Sequence, residues 1–476
     1  MVERREWVAC EDTLLFVNAA VTSTGQREFR DSEQAQHMSL AFLHEYMLGN
    51  YRELYAASLA LDVNDHNAAL IVRHLLVSSR DLAPAVRRRE GALIARRLQV
   101  MAPQRVYRLF RELARLGVNN RRTRAIMREW IAQRPDPAFD AVKYRGAVKA
   151  TVRHAHLSAQ GETGPFLFAP LRRMKGFDTP LFESWRQAHY AASALYDLPY
   201  TVAEGFAARH RVPRPEFLRR ITPNLTRVER LRLQGSAERL KVDEVRTDLG
   251  TMPLTRLASY VLALPREVRA RRHDELHAAM TAAARRVAGD AVGRWGHVVA
   301  VLDDSFSSFG STAKPQRPLA VALACHYLLK ALAGSYASFW TSGAPDPLMV
   351  RPSGPTGLGD RLIDALELRP ERLVVVSDGW DNAPPGLAAE VLRVWRARLD
   401  PAGSTSMVHL NPVYDADDFG VKRLGPGIPT VGVRDAEDVP TLVELARFAE
   451  GRSGFDELNR YLAARQEQFL AEGKAS

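Results

Sequence analysis

The sequence contains very little cysteine and no long apolar run. Its 476 residues include two cysteines, Cys10 and Cys325, which lie far apart in the chain. Two cysteines exclude a disulfide framework and a cysteine-rich metal site, and they are typical of a reducing compartment. No apolar run approaches the length of a membrane-spanning helix, and the charged stretch Met1–Cys10 lacks the apolar core of a signal peptide. We therefore expect a cytoplasmic protein with no membrane partner.

The sequence also lacks the compositional bias of a disordered chain. Hydrophobic residues make up 46% of it and charged residues 25%, which is the ordinary composition of globular proteins. At roughly 150 residues per domain, the length predicts two or three domains.

Positive charge is in excess, but only in one part of the chain. The net charge is +11 and the isoelectric point is about 9.8. Residues 1–290 contain 47 Lys and Arg against 32 Asp and Glu, a net of +15, whereas residues 291–476 contain 19 against 23, a net of −4. Most of the basic residues are arginines, which suit bidentate contacts with phosphate. This distribution indicates that the N-terminal part binds a polyanion and that the remainder has another task.

Residues from about 30 to 290 read as one helix after another. Apolar side chains recur at three- and four-residue spacing, and strand signals are almost absent. Helices with short joints predict stacked antiparallel pairs of the HEAT type, and we assign residues 1–289 to this helical-repeat domain. The stretch Phe139–Leu157 is predicted to be one helix. The following stretch, Ser158–Pro180, is rich in Gly and Pro and is predicted to be an ordered loop.

The pattern changes after residue 289. The β-branched runs His297–Asp303 and Arg372–Ser377 predict buried parallel strands. Further strands alternate with helices, up to a predicted helix at Val439–Glu450 and a last helix near the C-terminus. This alternation predicts a doubly wound, Rossmann-like α/β domain over residues 290–476, with ligands at the carboxyl ends of its strands.

Oxygen-bearing side chains follow both strong strands. Asp303, Ser305 and Ser307 come after the first strand, and Asp378 comes after the second. Thr356 lies between them in a Gly-rich loop that opens a helix. Because the carboxyl ends of parallel strands meet at one sheet edge, we expect these side chains to converge. Oxygen ligands without His or Cys suit Mg²⁺ or Mn²⁺, so the sequence predicts a divalent-metal site.

The same five residues resemble, one by one and in order, the metal-ion-dependent adhesion site of the von Willebrand factor A module. The resemblance covers the predicted α/β domain. It implies that Mg²⁺, or another divalent cation such as Mn²⁺, is the cofactor, and that a carboxylate or phosphate from a partner can complete the coordination.

A helical array followed by this module is similar to the Ro ribonucleoprotein family, in which a TROVE domain of HEAT-like repeats closes into a ring. Ala147–Leu157 resembles that family's basic helix with a His-Leu step, and Met252–Leu257 resembles its Met-Pro-Leu-Thr helix start. Asn119–Arg124 lies where the family has a turn before a helix. The family's turn is rich in Gly and Arg, whereas this one is rich in Asn and Arg.

The resemblance to the Ro family implies a non-catalytic RNA-binding protein that acts in RNA quality control or ribonucleoprotein assembly. Family members bind small noncoding Y RNAs on the outside of the ring. They also pass single-stranded ends of structured or misfolded RNAs through its hole, and in bacteria they work with exoribonucleases or RNA-repair enzymes. The sequence leaves the oligomeric state open, and a monomer is the simpler expectation.

Candidate RNA contacts are basic residues at two helices and in the Gly- and Pro-rich loop. We expect them to bind phosphates, with Phe166 and Phe168 stacking on unpaired bases. The candidates are Arg121, Arg122, Arg124 and Arg128, then Lys149, Arg153 and His154, and finally Arg172, Arg173 and Lys175.

Two other functions stay open at this point. The module can serve as a Mg²⁺-dependent protein-interaction adaptor, for instance for an AAA+ ATPase, with the helices as a scaffold. A metal-dependent nuclease at Asp303 and Asp378 would draw on Asp304 and Asp381, although such sites usually hold several clustered carboxylates. No nucleophile–base pair with a third member is evident, so the sequence predicts no enzyme activity.

Overall fold

The chain packs into two compact units in a computed structural model. The α/β unit combines residues 1–68 with residues 248–475, and the helical unit spans residues 69–247. The structure describes residues 2–78, 82–242, 245, 248–426, 428–440 and 455–472. Among these residues, every helix is too short or too polar to cross a membrane.

Helices alone make up the regular structure of the described residues before residue 290. Most of them are joined by short connections, as expected for antiparallel helix pairs. In chain order they are α1 (Val2–Thr22), α2 (Glu33–Asn50), α3 (Arg52–Ala57), α4 (Asp65–Val77), α5 (Pro84–Val100), α6 (Pro103–Arg115), α7 (Arg121–Ala132), α8 (Pro137–Lys143), α9 (Arg145–His154), α10 (Thr163–Phe168), α11 (Pro180–Gln187), α12 (Tyr200–Arg209), α13 (Arg214–Ile221), α14 (Arg227–Arg239), α15 (Leu254–Ala263), α16 (Arg266–Arg271) and α17 (His273–Ala288).

Local chemistry sets where these helices begin and end. α5, α6, α8 and α11 each have a proline in the first turn, where its missing N–H costs no hydrogen bond. Asn120 caps α7, because its Oδ1 accepts a hydrogen bond from the N–H of Thr123 at 2.9 Å. Tyr144 separates α8 from α9. The prediction of one helix over Phe139–Leu157 is therefore wrong, because two helices cover this stretch.

α6 illustrates how the helical unit separates apolar from charged residues. Val106, Tyr107, Phe110 and Leu113 are buried on one face, and α6 packs against α9. The opposite face is exposed and carries Arg105, Arg108 and Arg111. An amphipathic helix of this kind buries its apolar stripe in the core and leaves its cations in solvent.

A five-stranded parallel sheet forms the centre of the α/β unit. Its strand order is β2-β1-β3-β4-β5, and every neighbouring pair is parallel. The strand order reverses between β1 and β3, which makes their carboxyl ends the expected ligand site of such a sheet. The strands are β1 (His297–Leu302), β2 (Ser335–Trp340), β3 (Arg372–Val376), β4 (Ser406–Asn411) and β5 (Thr430–Gly432).

Helices cover the sheet, and the burial that they cause accounts for the apolar residues of its central strands. β1 is buried from Val298 to Leu302, and β3 is buried from Leu373 to Val376, as expected for parallel strands that are covered on both faces. Among the described residues, the α-helices that follow β1 are α18 (Arg317–Leu332), α19 (Leu358–Glu367), α20 (Leu387–Val394) and α21 (Phe455–Glu472).

The first helix of the chain belongs to the α/β unit. α1 packs against β5, and the Oδ1 of Asn18 accepts a hydrogen bond from the N–H of Gly432 at 2.9 Å. A Cβ at Gly432 would lie only 2.7 Å from Cγ2 of Thr22, so the close approach of α1 requires glycine there. The helices predicted from the sequence begin at about residue 30 and do not include α1. All consecutive residues from Phe16 to Val21 are buried, so this part of α1 shows no helical period in its sequence.

The predicted fold class is confirmed: a HEAT-like helical array is followed by a doubly wound α/β sheet. The stretch Ser158–Pro180, predicted to be a loop, contains α10 and a short 3₁₀ turn at Leu171–Arg173. Most of the predicted helix Val439–Glu450 lies outside the described residues. Residue 289 marks the change from helices to alternating strands and helices, but the compact units divide the chain elsewhere.

Candidate functional site

The loop after β1 turns its side chains back toward the sheet edge. Oδ1 of Asp303 accepts a hydrogen bond from the N–H of Ser305 at 2.8 Å and one from the hydroxyl of Thr341 at 3.3 Å. The hydroxyls of Ser305 and Ser307 lie 3.2 Å apart. This short-range turn places one carboxylate and two hydroxyls together immediately after the strand.

Two further elements bring the remaining predicted ligands to the same place. The hydroxyl of Thr356 donates to Oγ of Ser305 at 2.9 Å, while its N–H donates to Oδ1 of Asn382 at 2.9 Å. Asp378 follows β3 and lines the same small cavity as Asp303 and Ser307. The structure therefore brings together all five residues that the sequence singled out.

A small cavity lies between the two carboxylates. Asp303, Ser307 and Asp378 line it, together with Pro318, Pro412 and neighbouring residues of the loop after β1 and the end of β3, and its volume is about 10 Å³. That is about the space that one water molecule needs. No His or Cys is among its lining residues, so the donors are oxygens, as a hard divalent cation prefers.

Both carboxylates are buried, so their negatively charged forms are costly in free energy. Asp303 is 4% exposed and Asp378 is 7% exposed. Burial raises the pKa of Asp303, and the neighbouring Asp378 raises it further. Burial also raises the pKa of Asp378. A bound cation would remove this cost, so the residues present fit a divalent metal ion.

Asp304 and Asp381 have structural tasks next to this site. Asp304 accepts hydrogen bonds from the hydroxyl of Thr341 at 2.9 Å and from the N–H of Ser342 at 2.8 Å, which ties the β1 loop to the end of β2. Asp381 accepts from the N–H groups of Leu358 and Ala388, at the starts of α19 and α20. These hydrogen bonds give both carboxylates a structural role in holding the surrounding loops, which weakens the nuclease hypothesis.

The sequence patterns missed one component of the site. Residues 27–31 form a strap between α1 and α2. Residues 28–31 of this strap line a second cavity of about 20 Å³, whose wall also includes Asp378, Trp380 and Tyr414. No local motif signals this approach, because the strap and the α/β residues are separated by more than 300 positions.

The candidate RNA contacts lie in the helical unit, and three groups there form one aromatic and cationic patch. Nζ of Lys149 lies 5.6 Å from the ring centroid of Phe168, and Cζ of Arg153 lies 5.2 Å from it. The Phe168 ring is partly exposed, at 36%. We call Lys149, Arg153 and Phe168 the aromatic–cationic patch.

The other predicted stacking residue, Phe166, is a core residue. It is fully buried and stacks on Phe182 with ring centroids 4.1 Å apart. Arg145 lies over the neighbouring Trp185 and donates to the carbonyl of Phe166 at 2.7 Å. The hypothesis that Phe166 stacks on bases is therefore wrong, because its ring is already packed.

The arginines at the start of α7 divide into two kinds. Arg122 forms an ion pair with the buried Glu90, with Nη2 and Oε2 3.2 Å apart and only 14% of its side chain exposed, so its role is structural. Arg121 and Arg128 are exposed, and Arg124 is half-buried.

Two histidines tie the end of α9 to the loop before α7. Nε2 of His154 lies 3.0 Å from the carbonyl oxygen of Val118. Nε2 of His156 lies 3.2 Å from Nδ2 of Asn119. His154 is therefore a positioning residue that brings the two predicted clusters of cations close together. Further along, the exposed residues Arg172, Arg173 and Lys175 follow α10.

The excess positive charge resides entirely in the helical unit. Residues 69–247 contain 35 Lys and Arg against 16 Asp and Glu, a net of +19. The remaining residues contain 31 against 39, a net of −8. The compact units thus separate charge more sharply than the predicted boundary at residue 289, because the acidic N-terminal helices belong to the α/β unit.

Comparison with known proteins identifies a structural relative. No protein-family model matches this chain, and no curated protein matches it either. The crystal structure of the Ro protein (RSR) of Deinococcus radiodurans is similar to it, with a TM-score of 0.56 and 16% identity, over 93% of this chain and 100% of that chain. The chain has a Ro-like structure. At this identity the likeness is one of fold.

Proposed function

We propose that this protein is a non-catalytic RNA-binding protein whose helical unit holds RNA. The observation that carries the proposal is the net charge of +19 on a unit that also exposes an aromatic ring between two cations. Cations bind phosphates without regard to sequence. An aromatic ring adds stacking on an unpaired base, which a duplex cannot offer.

The likeness in fold to a Ro protein supports this function and extends it. On that basis we propose small noncoding, Y-like RNAs and single-stranded ends of structured or misfolded RNAs as ligands. RNA quality control or ribonucleoprotein assembly in the cytoplasm is the corresponding role, with an exoribonuclease or RNA-repair enzyme as the protein partner. Arg121, Arg124, Arg128, Arg172, Arg173 and Lys175 remain proposed phosphate contacts around the aromatic–cationic patch.

Binding to a structured RNA with a single-stranded 3′ tail should weaken steeply with salt. If each of the proposed cations neutralises one phosphate, a plot of log affinity against log salt has a slope of about −6 for single strands. Filter binding at salt concentrations from about 50 to about 200 mM measures this slope. Absence of binding at low salt, or a flat salt dependence, would contradict the proposal. Co-purification of an ATPase subunit without nucleic acid would instead favour the adaptor function.

We also propose that the five oxygen donors in the α/β unit hold Mg²⁺ or Mn²⁺. Asp303 and Asp378 would supply the charged ligands, and Ser305, Ser307 and Thr356 the neutral ones. The support is that the buried Asp303 and Asp378 line one small cavity together with Ser307. Ser305 lies within hydrogen-bond distance of Ser307, and Thr356 donates to Ser305. When bound, the ion would offer an electrophilic position to a carboxylate or phosphate of a partner.

Mg²⁺ should stabilise the α/β unit, and Asp303→Asn should abolish that effect. At ten times the dissociation constant, a ligand that binds only the folded state adds about 1.4 kcal/mol. The Asn side chain retains an oxygen that can accept the hydrogen bond from the N–H of Ser305. It also removes the charge that repels Asp378, so the metal-free variant should be no less stable than the metal-free parent. Thermal unfolding with Mg²⁺ or with a chelator measures both effects. Asp360→Asn, which removes an exposed carboxylate, is the control and should keep the full response. An unchanged Mg²⁺ response in Asp303→Asn would contradict the site.

A further inference from the structure

The strap of residues 27–31 is fixed to the α/β unit at both of its ends. At its start, the hydroxyl of Ser311 donates to the carbonyl of Arg27 at 2.7 Å. At its end, Oδ2 of Asp31 accepts from the N–H of Ala416 at 2.8 Å. These contacts connect the strap to the loop after β1 and to the loop after β4, so its backbone is held in place.

The middle of the strap is anchored by one buried ion pair and one ring contact. Glu28 and Lys314 form the ion pair, and their side chains are 3% and 7% exposed. The rings of Phe29 and Phe306 meet edge to face, with centroids 5.9 Å apart. Phe306 lies between two of the proposed metal ligands, so the strap contacts the loop that carries them.

Arg30 is the strap residue that approaches the proposed metal ligands. Its guanidinium lies over Trp380, with Cζ 4.3 Å from the ring centroid, and Arg30 lines the same small cavity as Asp378. The backbone N–H of Trp380 donates in turn to Oδ1 of Asp378 at 3.1 Å. Nζ of Lys422 lies 4.1 Å from the same indole ring. Trp380 thus positions a cation beside one of the two buried carboxylates.

We propose that Arg30 is an internal competitor of the metal ion. This inference rests on the metal site proposed above. Its guanidinium balances the charge of Asp378 when no ion is present, and it repels a second cation that approaches that carboxylate. The strap backbone is anchored, whereas the Arg30 side chain is exposed, so the response to an ion is a movement of one side chain. The strap therefore lowers the affinity of the site and links metal binding to the N-terminal part of the chain.

Mn²⁺ titration of the full chain, read by electron paramagnetic resonance of the unbound ion, tests this inference. Arg30→Ala should bind Mn²⁺ about three- to tenfold more tightly than the parent, the size of one charge–charge interaction at a hydrated site. Arg30→Lys keeps the charge and should stay within about twofold of the parent. Arg27→Ala removes the same charge from the same strap and should leave the affinity unchanged. Arg27 is exposed, so both alanine variants are expected to fold.

The outcomes separate this inference from the metal site itself. Mn²⁺ binding by Arg30→Ala but not by the parent would support the inference strongly. Equal affinity in the parent and Arg30→Ala would overturn it while leaving the metal site in place. An equal gain in Arg27→Ala would also overturn it, because the effect would then be general electrostatics. If no variant binds Mn²⁺, the metal site and the inference fall together.

Discussion

Replacing Lys149, Arg153 and Phe168 together by alanine is expected to weaken RNA binding by about two orders of magnitude. Loss of one stacked base costs about 1–3 kcal/mol, and each lost charge-assisted phosphate contact adds to this. Since two phosphate contacts disappear, the slope of log affinity against log salt should also become shallower by about 1.4. Filter binding with a tailed RNA across a salt series measures both quantities in one experiment.

Two further variants show whether the loss comes from the aromatic–cationic patch. Arg398→Ala combined with Arg460→Ala removes two exposed cations from the α/β unit and should change affinity by less than about twofold. Phe168→Leu keeps an apolar side chain without a ring, so it should weaken binding by roughly tenfold and leave the salt slope unchanged. Equal losses in the triple variant and in the arginine control would show that only net charge matters, and the patch would then not be a binding site.

Lys314→Met is expected to destabilise the α/β unit by about 3 kcal/mol, because it leaves the buried Glu28 carboxylate without its partner. Arg317 lies near this carboxylate, but its guanidinium is engaged by the carbonyls of Pro412 and Arg434. Hydrogen exchange of amides in β1 and β3 reports the opening of this unit separately from the helical unit.

The double variant Lys314→Met with Glu28→Leu isolates the cause. Replacing both members of a buried ion pair by apolar residues is often neutral, so stability should return to within about 1 kcal/mol of the parent. Lys330→Met, on the exposed side of α18, is the matched control and should cost less than about 0.5 kcal/mol. If Lys314→Met is as stable as this control, the ion pair between Glu28 and Lys314 does not hold the strap in place.

Features encoded over a few residues, or by the topology of a parallel sheet, could be predicted from the sequence. The buried strands are continuous apolar runs, and their carboxyl ends must meet at the reversal of strand order. For this reason Asp303 and Asp378, 75 positions apart in the sequence, could be placed together. The three hydroxyls followed from the same argument, since each lies on a loop beginning at that edge.

Features that depend on partners elsewhere in the chain could not be predicted. The sequence presents Arg122 as a candidate RNA contact, but Glu90 on a different helix pairs with it. In a predicted loop, the sequence does not distinguish Phe166 from Phe168. The segment is in fact helical, and two positions along a helix turn the side chain by about 200°, to nearly the opposite face. One ring is therefore buried in the core and the other is exposed.

The division of the chain has a consequence for how the protein is made. The helical unit is continuous in sequence, whereas the α/β unit receives its first 68 residues before the helical unit and the rest after it. On the ribosome, α1 emerges long before β5, the strand it covers. The helical unit can thus complete its fold while the α/β unit is still unfinished, and the apolar residues of α1 must stay shielded from other chains until the last strand arrives.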